Sequence, residues 1–233
     1  QQEQTALRGE LLALRSERSQ MDAQLNALLG RAASEPLAAP AGARAVPAPM
    51  DANALNERLQ SSSPQLSSEA ARVQAAEKNH QLTRLNRYPD ATVSLSPTQK
   101  QSGVSEWGVM LEFNIPLQQD SRRAQEREAQ AMLEAAQARS AALRQQLQAE
   151  LAQNLAALQA ARDTEALLRS SLLPQVELGW QSALASYENG KLDFATLIDA
   201  QRQLRQTRQS QIKARLEAQQ RLAEIEKLIG AEL

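Results

Sequence analysis

The sequence predicts a mainly α fold of long antiparallel coiled-coil helices with one β-hairpin, and three observations carry that prediction. Of 233 residues, 42% are hydrophobic but only 3% are aromatic, so Ala and Leu make up the apolar content. With abundant Gln, Glu and Arg, this is the composition of helices packed side by side through narrow seams rather than of a compact globular core. Apolar residues recur at spacings of three and four along most of the chain. Only residues 91–117 change to an alternation of two, the signature of strands with one apolar face.

Composition also excludes function classes. The 26 Lys and Arg against 27 Asp and Glu leave a net charge of −1, and so no basic surplus for a nucleic-acid partner. With no Cys and one His, there is no disulfide scaffold, thiol nucleophile, thiolate zinc site or His-pair metal site. His80 lies on a polar helical face and, as a lone His, reads as no metal ligand. No cofactor is expected. Neither a glycine-rich phosphate loop, a pair of catalytic carboxylates nor a nucleophile elbow is visible, so the chain reads as no enzyme. No run of 18 apolar residues occurs, hence no helix that would span a bilayer. No basic segment leads into an apolar one at the start, and Gln1 to Glu10 is already helical in pattern. The chain is expected to be a mature or truncated piece.

Taken in order, Leu7, Leu11, Leu14, Met21, Leu25, Leu28 and Leu29 form one helical stripe, and Gly30 stops it. Residues 31–50, with Pro36, Pro40, Pro47 and Pro49 among alanines, read as a linker lying against a surface. Over 51–87, Asp51 caps a short helix to about Ser61, and Ser63-Pro64 starts a second one to about Arg87. Tyr88-Pro89-Asp90 ends it, because the residue before a proline avoids the α region.

In 88–118, Val93 and Leu95 alternate with Thr92, Ser94 and Ser96, and Trp107, Val109, Leu111, Phe113 and Ile115 with Gly108, Met110, Glu112 and Asn114. The polar stretch Thr98 to Ser105 is expected to be the hairpin loop. Such strands suit either a transmembrane barrel, whose tilted strands need about ten residues, or an edge hairpin on a soluble domain. The helical period then runs through 119–188, a length of roughly 100 Å at about 1.5 Å per residue. Leu143, Leu147, Leu151, Leu155 and Leu158 mark its seam, and Pro174 is expected to kink it. The run of arginines and glutamates from Arg122 to Glu128 reads as solvated helix surface with i,i+4 pairs. Glu188-Asn189-Gly190 is a turn, and residues 189–233 return as an antiparallel helix.

Leu25, Leu28, Leu29 and Gly30 recur 200 residues later as Ile225, Leu228, Ile229 and Gly230. Residues 1–30 therefore read as the last helix of one repeat, and the remainder as a second copy. Several segments carry a resemblance to a known family: Tyr88-Pro89-Asp90-Ala91-Thr92-Val93-Ser94-Leu95, Asn114-Ile115-Pro116-Leu117, Leu172-Leu173-Pro174-Gln175, and above all Ser186 to Phe194 continuing to Ile198-Asp199-Ala200-Gln201. With these the chain resembles the C-terminal repeat of the TolC-like outer membrane efflux channels. The strand wording looks closest to the channels of heavy-metal exporters.

The resemblance implies a homotrimer whose hairpins contribute to a shared twelve-stranded barrel in outer membrane lipid, above a helical extension into the periplasm. Function would be that of a passive duct for small molecules or metal ions in a tripartite efflux system. Its partners would be a periplasmic adaptor and an inner-membrane pump of the resistance-nodulation-division (RND) type. Trp107, Val109, Leu111, Phe113 and Ile115 would face lipid, and Glu112 the lumen. Tyr187, Asn189, Gly190 and Lys191 would form the adaptor-contact tip. The family often places two acidic residues three apart at the pore constriction; Asp199 matches the second, whereas Thr196 stands at the first. Asp199 reads either as a pore ring or as a solvated carboxylate. Alternatives from other classes are a periplasmic adaptor, which would need flanking β modules not visible here, or a soluble coiled-coil scaffold.

Overall fold

The computed structural model describes residues 2–38, 42, 44, 51–100, 103–114 and 118–233. It divides into two compact units, Gln1–Ala45 and Val46–Leu233.

The first unit holds helix α1 (Gln2–Leu28). Gly30 ends it with φ +67°, a left-handed conformation that only glycine adopts without strain. The Arg31 N–H donates to the Asn26 carbonyl (2.8 Å) and the Gly30 N–H to that of Ala27 (3.1 Å), a Schellman closure. The segment that follows is tied back onto the helix end. Asn26, fully buried, donates through Nδ2 to the carbonyls of Ala33 (3.3 Å) and Glu35 (2.8 Å). The rest of the expected linker, 39–50, lies outside the described residues apart from Gly42 and Arg44. Along α1, Leu11, Leu14, Met21, Leu25 and Leu28 are exposed.

The second unit runs α2 (Ala52–Ser62), α3 (Pro64–Leu85), β1 (Asp90–Lys100), β2 (Gly103–Asn114), α4 (Gln119–Leu167), a π-helical turn (Leu168–Leu172), α5 (Leu173–Glu188) and α6 (Phe194–Ile229). Asp51 caps α2 by accepting from the Asn53 N–H, and Pro64 opens α3. At this position its missing N–H costs no intrahelical bond.

Helix α6 runs antiparallel to α4 and α5 in succession, as shown by Arg221 reaching Asn154 of α4 (3.3 Å) and Arg208 reaching Glu177 of α5 (2.8 Å). Their seam is the core. Leu147, Leu151 and Leu158 from α4 meet Ala218, Ile225 and Ile229 from α6, and α2 closes it with Leu55 and Leu59. Spacings of four and seven put each set on one stripe of its helix. Burying each of the large residues contributes roughly 1.5–3 kcal/mol.

Two elements differ from the sequence expectation. The long helix is not α-helical throughout: just before Pro174 its hydrogen bonding widens at Leu168–Leu172, where the Leu173 N–H reaches the Leu168 carbonyl. Proline lacks the N–H that would bond the carbonyl four residues earlier, and a π turn absorbs the defect. The hairpin is also longer than expected. Strand pairing continues through most of the polar stretch 98–105, to Lys100 opposite Gly103, with a bulge between Thr98 and Gln99. Polar side chains do not interrupt a ladder made by the backbone, and the bulge takes up the odd residue.

Gly230 closes α6 at φ +71°, and a Cβ there would lie 2.9 Å from both the Ser62 carbonyl oxygen and Pro64 Cδ. Gly179, inside α5, has nothing within 4 Å of the same position. Gly230→Ala is therefore expected to lower stability by about 2–3 kcal/mol, whereas Gly179→Ala should raise it by about 0.5–1 kcal/mol, both read from urea unfolding midpoints.

Candidate functional site

Two regions hold the residues singled out by sequence: the hairpin and the helical tip. In the hairpin, antiparallel register places Ala91 opposite Phe113, Val93 opposite Leu111, Leu95 opposite Val109 and Pro97 opposite Trp107. All eight side chains share one face, because positions two apart in a strand point the same way. The other face pairs Thr92 with Glu112, Ser94 with Met110 and Ser96 with Gly108. Val93, Leu95, Trp107, Val109, Leu111 and Phe113 are 59–68% exposed. Ile115 lies outside the described residues. A contiguous apolar sheet face of this kind is unfavourable in water and marks a surface meant for lipid or protein. The two-stranded sheet also has two open edges, whose backbone groups need partners if the hairpin enters lipid.

At the tip, α5 ends in the same closure that ends α1. The Lys191 N–H donates to the Ser186 carbonyl (2.9 Å) and the Gly190 N–H to that of Tyr187 (2.9 Å), with Gly190 at φ +66°. Asn189 turns its Nδ2 back onto the Ala185 carbonyl (2.7 Å). The rings of Tyr187 and Phe194 clip across the turn with centroids 5.9 Å apart, within the range of a favourable tilted aromatic pair. Lys191 stands exposed at the apex.

Asp193 opens α6 as its N-cap, accepting from the Thr196 N–H (3.1 Å) and from the Thr196 hydroxyl. These bonds favour the ionised form and hold the Asp193 carboxyl below its ordinary range, the side-chain bond from Thr196 being the larger cause. Thr196 is thus the cap's partner, a role the sequence reading missed although an Asp before an apolar run was visible. Asp199 is exposed and paired with Arg202 (2.9 Å), one turn further along.

A third group was not singled out. Glu126 does not pair along its own helix but reaches Arg87 beyond the end of α3 (2.6 Å), while Arg122 donates to the Asn86 carbonyl. His80 lies in the adjoining groove with Arg123 and Arg127, and no cluster of three metal-ligating side chains occurs among the described residues.

The sequence model for outer membrane efflux proteins matches residues 55–231. Comparison with curated protein sequences finds no relative. Among solved structures, the chain is similar to the open state of the MtrE outer membrane channel of Neisseria gonorrhoeae, at 19% identity and a TM-score of 0.77, covering 98% of this chain and 53% of that one. It is similar to a membrane protein from Pseudomonas aeruginosa at 22% identity and a TM-score of 0.67, covering 76% and 42%. It is also similar to the outer membrane protein VceC of Vibrio cholerae at 19% identity and a TM-score of 0.61, covering 78% and 47%. The chain spans about half the length of these structures.

The tip predicts a pH response. Because the folded-state pKa of Asp193 is depressed, the capping contribution is fully present above the ordinary carboxylate range near pH 4 and is lost as pH falls through the lower folded value. Amide exchange at residues 195–197 should accelerate in that acid window. In Asp193→Ala it should be fast at every pH, with α5 unaffected.

Proposed function

From the premise that the chain belongs to the outer membrane efflux protein family, we propose that it supplies the hairpin and helical hairpin of a passive duct across the outer membrane and periplasm. The observation that carries this reading is the hairpin, with an exposed apolar face on one side and Thr92, Ser94 and Glu112 on the other. Strands of 11 and 12 residues match the length a tilted barrel strand needs to cross a bilayer. In this reading the apolar face meets lipid and the polar face lines a wet lumen. Neighbouring strands from a trimer satisfy the open edges.

Residues 1–30 act as the closing helix of a preceding repeat: α1 ends on the same left-handed glycine as α6, yet its Leu25 and Leu28 are exposed where Ile225 and Leu228 are buried. The tip, with Tyr187, Asn189, Gly190 and Lys191, meets the periplasmic adaptor, and an inner-membrane pump provides the energy. Asp199 contributes one carboxylate per protomer to the pore. Thr196, engaged in capping, adds no charge, so the pore carries a single acidic ring. Transport needs no catalytic group and the cargo is a small molecule or metal ion.

The test is particle mass in detergent by light scattering, for this chain and for a longer product that also carries the preceding repeat, followed by conductance of the latter in a planar bilayer. A conducting trimer is expected of the longer product, since three copies of a two-stranded hairpin supply only half of a twelve-stranded barrel. A detergent-independent monomer or dimer without conductance would replace the duct with an adaptor or a soluble scaffold. Replacing Leu111 and Phe113 by Ser should raise solubility in detergent-free buffer, and unchanged solubility would count against a lipid-facing strand.

A further inference from the structure

The apolar band of the hairpin begins at the pair Ala91 and Phe113, and arginines border two grooves at the end of α3 and the start of α4. Arg87 is four residues before Ala91, so at most ~13 Å of chain separates them. Arg84, Arg87 and Tyr88 border one shallow groove, and Arg87, Arg123 and Arg127 border the next. Arg87 joins the two into one rim across the end of α3 and the start of α4. Glu126 occupies Arg87, and Asn86 occupies Arg122. Arg84, Arg123 and Arg127 are exposed and have no ion-pair partner among the described residues.

Tyr88, 69% exposed, stands between the arginines and the strands. An amphipathic ring at the edge of an apolar band, with long cationic side chains beside it, is the pattern of a membrane–water interface.

Resting on the membrane reading of the hairpin, we propose that Arg84, Arg123 and Arg127 form a headgroup collar that binds the phosphates of anionic phospholipids in the periplasmic leaflet. Arg84 borders one groove and Arg123 and Arg127 the other, where Asp120, Glu126 and Glu134 also line the wall. This arrangement does not converge on a single anion. It fits a surface bearing many phosphates, each met by a separate fork of donors. The collar fixes the height of the hairpin: the apolar band enters the acyl layer only as far as the arginines permit.

The experiment is flotation of the chain with vesicles of phosphatidylcholine, alone or with phosphatidylglycerol, comparing wild type with the triple variant Arg84→Gln, Arg123→Gln, Arg127→Gln. In a Trp180→Phe background, quenching of Trp107 by brominated acyl chains reports whether the apolar face touches lipid, independently of headgroup charge. Wild type should prefer the anionic vesicles, the preference falling with salt. The triple variant should lose at least about tenfold of it, since each arginine near an anionic surface contributes about fivefold, while Trp107 stays quenched. Quenching with the anionic preference intact in the variant would overturn the collar and leave the membrane reading standing. Trp107 unquenched in every vesicle would overturn both.

Discussion

The seam between α4 and α6 is the constraint on which the second unit depends. Helices of 49 and 36 residues draw little stability from their own hydrogen bonds in water and need a packed face along their length. Small residues set that face. Ala214 and Ala218 on α6 let the backbones approach, and Leu147, Leu151 and Leu158 fill the space opposite. Ion pairs along the surface, such as Glu217 with Arg221, are half-exposed and contribute little. Bonds between the helices set register: the hydrogen bond of Arg221 to Asn154 and the ion pair of Arg208 with Glu177 fix which turn of α6 lies against which turn of the α4–α5 rod.

Burial along the rod is uneven. Leu147, Leu151, Leu222, Ile225 and Ile229 are sealed at the end where α2 lies across the seam, whereas beyond the π turn the buried side chains are Val176, Leu197, Leu204 and the polar Thr207. Opening free energy follows buried apolar contact, so it falls from the α2 end toward the tip. The π turn at Leu168–Leu172 divides the two regions.

Much of this was legible in the sequence because it rests on local rules. A two-residue period announced the hairpin, leucine spacing announced the seam, and Gly30, Gly190 and Gly230 marked helix ends, where each takes a positive φ. What was not legible depends on partners distant in sequence or on backbone bonds that no side chain reveals. Thr98 to Ser105 looked like a loop because its side chains are polar, yet the ladder is made by main-chain groups. The charged run from Arg122 to Glu128 looked self-paired, but Arg87 and Asn86, more than thirty residues away, take Glu126 and Arg122. Asn26 gave no signal at all. Its amide matters only because the chain beyond Gly30 turns back to meet it.

The tip shows how a thinly packed end keeps a defined shape. With few buried apolar contacts, Tyr187 to Thr196 is held by directional bonds: a left-handed glycine, two carbonyls of α5 closed by Gly190 and Lys191, and the cap of Asp193 on Thr196. Such bonds are short-range and survive a change of angle between the helices behind them. Seam packing is different, since sliding one helix past the other breaks many contacts at once. The turn is therefore defined by its own bonds rather than by the seam behind it. The residue at the first position of the expected acidic pair thus serves shape rather than charge: Thr196 gives the tip a cap where a carboxylate would have brought a second negative group beside Asp193.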